Sequence, residues 1–102
     1  METERCVKEK TKAKTRVSEP KKYVVVMHND DFTTMDFVVY ILVELFGKDI
    51  MTANQLMLKI HNTGRAEVGR YSYDIAKTKA DEAMDRARAE GFPLRVTVEA
   101  ES

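Results

Sequence analysis

Apolar residues recur along this chain at two different spacings, and the switches between them mark out the elements. Tyr23 to Met27 is a short apolar run rich in β-branched residues, long enough for one buried strand. From Thr34 to Phe46 the spacing changes to three and four, with Phe37, Val38, Ile41, Leu42 and Leu45 on one helical face. Thr33 is the expected N-cap, with Asp36 three residues on in an imperfect capping box. Phe32 and Phe37 then take the positions of a hydrophobic staple. Gly47 suits the left-handed end of this helix. A second helix is expected to start near Asp49 or Thr52, with Ala53, Leu56, Met57 and Ile60 on one face, and to stop at Asn62-Thr63-Gly64. Arg65 to Tyr71 alternates enough for a half-buried strand through Ala66 and Val68. Ser72 is a cap for a third helix lined by Ala76, Ala80, Ala83, Met84 and Ala87, small residues that permit close approach. Gly91 and Pro93 end it, and Leu94, Val96 and Val98 alternate with Arg95, Thr97 and Glu99 in a last strand.

The order β-α-α-β-α-β predicts an α+β fold, a small α/β sandwich. Its three-stranded antiparallel sheet is expected to carry three helices on one face. The chain has 102 residues, 43% of them hydrophobic and 33% charged, which bounds it to one domain with a modest core. That core is expected to span residues 23–102. Residues 1–22 carry almost no apolar side chains and no periodicity, and read as a flexible extension. No apolar run approaches the roughly 20 residues of a spanning helix, and the single cysteine, Cys6, has no partner within the chain. A cytoplasmic protein without membrane contact is expected.

The formal net charge is zero, but residues 1–22 hold eight Lys or Arg against four Glu. The rest of the chain therefore carries four negative charges in surplus. An acidic body argues against nucleic acid as a ligand and suits a cationic one.

Candidate chemistry gathers at Asn29-Asp30-Asp31, three short acceptors at the end of a buried strand and beside a helix N-terminus. Such residues also serve plain turns. His28, Asp30, Asp31 and His61 are the groups a metal site would use, but their spacing matches no zinc or iron pattern. No phosphate-binding glycine loop is present, and the only cysteine, Cys6, sits in the extension, which argues against a Cys-His nucleophile. No enzymatic role and no cofactor are expected. His61, near a helix end, has a simple reading as a group that bonds terminal carbonyls, and Met35 and Met57 as core filler.

Together, HNDDFTTMDFV, QLMLKIHNTGRAEVGRYSYDIAKTKADEA and GFPLRVTVE resemble the ClpS adaptor family of bacteria and plastids. The resemblance covers about residues 23–99 in one order and spacing. It implies an adaptor that captures proteins whose first residue is Leu, Phe, Tyr or Trp. These N-degron substrates would pass to a ClpA-type AAA+ unfoldase working with the ClpP protease. By position, Asn29, Asp30 and His61 correspond to contacts with the substrate α-amino group, with Asp31 in support. Met35, Val38, Met57, Ile60 and Leu94 correspond to the wall of a side-chain pocket, with Thr33 at its rim and Met35 as gatekeeper. Asp74 and Lys79 correspond to an unfoldase contact, Asp74 standing where the family often has Glu. Phe32 stands where Tyr is common, and residues 1–22 resemble the family's mobile extension. A monomer is expected.

The chemistry of the acceptors agrees with that correspondence. A free α-amino group has a pKa near 8, so at neutral pH it is mostly an ammonium with three donors. An Asn oxygen, a carboxylate and a neutral imidazole nitrogen are the acceptors it requires. The alternative reading is another interaction module of similar architecture, a ribosomal-stalk-like domain or the degron-reading domain of a ubiquitin ligase. The first is not expected to combine an NDD cluster with a distant His, and the second is expected within a much longer chain than one ending at Ser102.

Overall fold

The computed structural model describes residues 21–101. The predicted extension, residues 1–22, therefore lies almost entirely outside the described residues. The elements are β1 (Tyr23–His28), α1 (Met35–Glu44), α2 (Ile50–Thr63), β2 (Arg65–Tyr71), α3 (Tyr73–Ala89) and β3 (Arg95–Ala100). The sheet order is β2-β1-β3, antiparallel throughout, with the most apolar strand in the centre. This is the expected α+β architecture in the expected order.

Residues of β1 alternate between two environments. Val25 and Met27, both wholly buried, face the helices and join Ala66, Val68 and Val96 in the main core. Val24 and Val26 face the other side and are also buried, beneath charged side chains of the flanking strands. There Arg65 donates to both carboxylate oxygens of Glu99 at 2.9 Å, and Arg70 pairs with Glu101 at 3.0 Å. The stems of long polar residues thus cover a sheet face that none of the described helices covers. The β1–β2 register shifts between Val25 and Val26, which pair with Gly69 and Glu67, a bulge that leaves Val68 without a partner on β1. Gly69 leaves room for the Tyr71 ring, which a Cβ at that position would overlap.

Helix α3 lies against the sheet along Ala76, Ala80, Ala83 and Ala87, all at 2% exposure or less, so the predicted small-residue stripe is the packing face. Helix α1 contributes Phe37, Val38, Ile41 and Leu42 to the core, and the Phe37 ring meets Phe92 edge-on at 5.1 Å. Helix α2 contributes Ala53 and Ile60 and packs on α1 and β2. Helix α2 stops where expected, and Gly64, with φ of 95°, ends it in the left-handed conformation.

The start of α1 differs from the expectation. Thr34, not Thr33, is the N-cap, and its Oγ accepts from the Phe37 N–H at 3.1 Å. Thr33 is one residue too early because its own backbone and hydroxyl are bonded to Asp30. With the cap moved, the Phe32–Phe37 staple does not form, and Phe32 is 73% exposed while Phe37 is buried. The helix also ends at Glu44, short of Phe46.

Candidate functional site

Two loop geometries create the site. The chain leaves β1 through Asn29 and turns sharply at Asp30. The Asp30 Oδ1 accepts the N–H groups of Phe32 at 2.8 Å and Thr33 at 2.7 Å, and its Oδ2 accepts the Thr33 hydroxyl at 2.7 Å. An Asx turn of this kind fixes the path into α1. The second geometry is the left-handed end of α2. The Asn29 N–H donates to the Gly64 carbonyl at 2.9 Å, so the end of α2 is tied to the start of the loop. His61, in the last turn of α2, is thereby brought beside residues 32 positions earlier in the chain.

Between them opens a cavity of about 400 Å³. Asn29, Asp30, Asp31 and His61 line its polar part, with Thr33 and Thr34. Met35 and Val38 from α1, and Met57 and Ile60 from α2, form its apolar wall. Val38 and Ile60 are buried and fixed, whereas Met35 is 44% exposed at the mouth. The cavity thus combines polar and apolar lining, as an amphipathic ligand requires.

Partial burial alone would raise the Asp30 pKa. The hydrogen bonds from Thr33 and Phe32, with Arg88 as a positive charge, outweigh it and hold the carboxyl below the ordinary carboxylate value. Asp30 is therefore ionised at neutral pH. Its three internal bonds use most of its four lone-pair directions and leave one on Oδ2. Its part is to shape the turn and to supply charge. Asn29 and His61 are exposed, with no side-chain hydrogen bond to another described residue.

Most of the residues expected at the site meet there: Asn29, Asp30, Asp31, Thr33, Met35, Val38, Met57, Ile60 and His61 all line the one cavity. Leu94 does not. It is 1% exposed in the main core, and its carbonyl accepts from Arg88 at 2.8 Å. The cavity adds Phe32 and Thr34, which sequence reading assigned to a staple and to the body of the helix. His28, in the metal alternative, is elsewhere: its Nε2 lies 2.9 Å from the Thr97 Oγ, on the charged side of the sheet. Burial there, with Arg95 and Arg65 nearby and Glu99 in partial opposition, lowers its pKa. Among the described residues no group of three His, Cys, Asp or Glu is arranged to hold a metal ion.

Asp74 and Lys79 occupy α3, away from the cavity. Asp74 is exposed in the first turn. Lys79 is half-buried and internally engaged, with Nζ 2.9 Å from the Leu45 carbonyl and 5.4 Å from the centre of the Tyr71 ring. It satisfies a carbonyl at the end of α1, where no basic residue of that helix does so.

The family model for "ATP-dependent Clp protease adaptor protein ClpS" matches residues 18–97. The ATP-dependent Clp protease adapter protein ClpS of Desulforapulum autotrophicum is 44% identical over 100 residues, 96% of each chain. That of Treponema denticola is 43% identical over 99 residues, covering 97% of this chain and 98% of its own. The structure of Agrobacterium tumefaciens ClpS2 bound to L-phenylalaninamide superposes with a TM-score of 0.79 at 41% identity. It covers 81% of this chain and all of that one.

Proposed function

This chain belongs to the ClpS family of ATP-dependent Clp protease adaptor proteins, and from that premise we propose that it reads the first residue of its substrates in the Asn29–His61 cavity. The observation that carries the proposal is the joining of two wall types in one small cavity. Asn29, Asp30 and His61 offer acceptors and a negative charge to an α-ammonium. Met35, Val38, Met57 and Ile60 offer an apolar wall to the first side chain. An internal peptide nitrogen has neither the charge nor the donors, so only a chain end satisfies both parts. L-phenylalaninamide, bound by the Agrobacterium relative, has that chemistry: a free amine and an aromatic side chain on one carbon.

Bulky apolar first residues, Leu, Phe, Tyr or Trp, suit the wall, because thioethers repack around differing shapes. A charge-assisted bond contributes about 1.5–3 kcal/mol, and burial of a Leu or Phe a similar amount. After the entropy of association, a micromolar site is the expected order of affinity. The protein catalyses nothing in this scheme. As a cytoplasmic monomer, it presents captured chains to a ClpA-type unfoldase for ClpP, using the α3 surface around Asp74 and the segment before Tyr23. Family membership is the reason to prefer this scheme over the ribosomal-stalk-like and ubiquitin-ligase alternatives.

Isothermal titration of a Leu-first peptide against its N-acetylated form tests the reading. Acetylation removes the charge and two donors, and affinity is expected to fall at least about thirtyfold. Equal affinity for the two peptides would refute it.

A further inference from the structure

A second concavity, of about 500 Å³, adjoins the first along the seam between α1 and α2. Its walls are Val39, Tyr40 and Val43 from α1 and Ile50 from α2, with Asp36 and Glu44 among its polar residues. Met57 lines both spaces, so the two share one flexible side chain as a wall. We infer that this groove holds the substrate polypeptide beyond its first residue, favouring apolar side chains at about the third and fourth positions and then a Lys or Arg. The inference rests on the chain-end reading above.

Continuity and helical phase support it. Met35 and Val38 of α1 turn to the cavity, and Asp36, Val39, Tyr40 and Val43 turn to the groove. The helices run antiparallel, since Met35 and His61 meet in the cavity at one end and Glu44 and Ile50 in the groove at the other. From Met57 back to Ile50 the groove follows α2 for about 10 Å at roughly 1.5 Å per residue. An extended chain at about 3.3 Å per residue covers that with about three residues. Tyr40 and Ile50 are 47% and 62% exposed, a large apolar surface; Arg86 donates to the Tyr40 hydroxyl at 3.5 Å and the Phe37 ring lies 6.0 Å from the Tyr40 ring, while the rest of both side chains stays open.

Charge selects the occupant. Among the described residues neither Asp36 nor Glu44 forms an ion pair. Glu44 also lies in the last turn of α1, which has no basic residue and where a carboxylate opposes the helix dipole. Helix stability therefore does not account for it, and an incoming cation does. A second copy of this chain is a poor fit, because a two-fold contact would set the same carboxylates face to face.

Fluorescence anisotropy with two Leu-first peptides tests the inference. One carries Leu, Val and Lys at positions three to five, and the other Ser and Gly throughout. Both are measured with free and with acetylated N-termini, against the native protein and the Ile50→Ser and Glu44→Gln variants. Both substitutions fall at exposed positions, and thermal unfolding verifies that each variant is folded. The patterned peptide is expected to bind the native protein about tenfold more tightly than the plain one. Ile50→Ser should reduce that preference to about twofold, and Glu44→Gln should remove the share due to Lys, with plain-peptide affinity unchanged in both. Equal binding of the two free peptides to the native protein, or a preference that survives both substitutions, overturns the groove inference while leaving the chain-end reading intact. If acetylated and free peptides bind alike, the chain-end reading fails and the groove inference fails with it.

Discussion

The Asp30 carboxylate receives three hydrogen bonds from Phe32 and Thr33, so its protonation state and the shape of the loop are linked. Its folded-state pKa lies below that of the unfolded chain, about 3.9. The stabilisation it provides is therefore complete above that value and is lost as pH falls through the folded-state value. Thr33→Val deletes the hydroxyl bond but retains the backbone one. Carbon-detected NMR titration of the carboxyl should show the Asp30 pKa rising towards the ordinary value, and Leu-first peptide affinity should fall roughly threefold to tenfold. An unmoved titration would mean that the hydroxyl contributes nothing to holding the charge. His61 makes a contrasting case, because it must be neutral to accept from an ammonium. His61→Ala should weaken binding by about tenfold and leave the melting temperature within about 1 °C, since the side chain is exposed and bonded to nothing described. A large loss of stability in calorimetry would instead support the simpler reading of this histidine as a helix-terminus group.

Helix α3 shows how an element can serve both the fold and a surface. Lys79 donates to the Leu45 carbonyl, so Lys79→Met exposes that acceptor without a partner while keeping the apolar stem. A loss of about 1 kcal/mol is expected, or roughly 4–8 °C in melting temperature for a domain of this size. Asp74→Asn, at an exposed position one turn earlier, should leave the melting temperature unchanged and weaken delivery to the unfoldase instead. If both substitutions proved thermally silent, the Lys79–Leu45 bond would have no energetic weight. The same helix was among the most legible parts of the sequence. Alanines at spacings of four and three leave little doubt about which face packs, and the bounds of β2 could be read directly. What could not be read was set by contacts across loops. Thr33 and Thr34 are equal as caps by propensity, and only the Asp30 bonds decide between them. Val24 and Val26 belong to the same apolar run as Val25 and Met27, yet they pack beneath Arg65–Glu99 and its neighbours, which no single-strand pattern encodes. Leu94 differs again: it stands one residue before β3, and its burial in the core depends on how Arg88 holds the preceding loop. Asn29 and His61 could be named as chemical candidates, but their meeting depends on the Asn29–Gly64 hydrogen bond.

At the scale of the whole molecule, charge divides the chain in two, with residues 1–22 holding four positive charges in surplus and the remainder four negative. Among the described residues the cavity lining begins at Asn29, and recognition is expected to need no part of the basic segment. Deleting residues 1–17 removes six Lys or Arg and three Glu, and leaves a more acidic protein. Screening at physiological salt acts over about 8 Å, so the added negative charge should raise the association rate of a cationic peptide slightly and leave its affinity within about twofold. Delivery should respond differently. We propose that this basic segment, which has no apolar pattern, engages the unfoldase: a fully extended chain of that length spans at most roughly 50 Å at about 3.3 Å per residue, far enough to meet a large partner while the cavity holds cargo. ATP-dependent degradation of a Leu-first substrate by the reconstituted Clp protease is therefore expected to slow at least about fivefold, in contrast to the small change in affinity. Loss of peptide binding along with degradation would make the segment part of the recognition site. Full-rate degradation would reduce it to a solubility tail, and the acidic domain would then have to make every contact with the unfoldase itself.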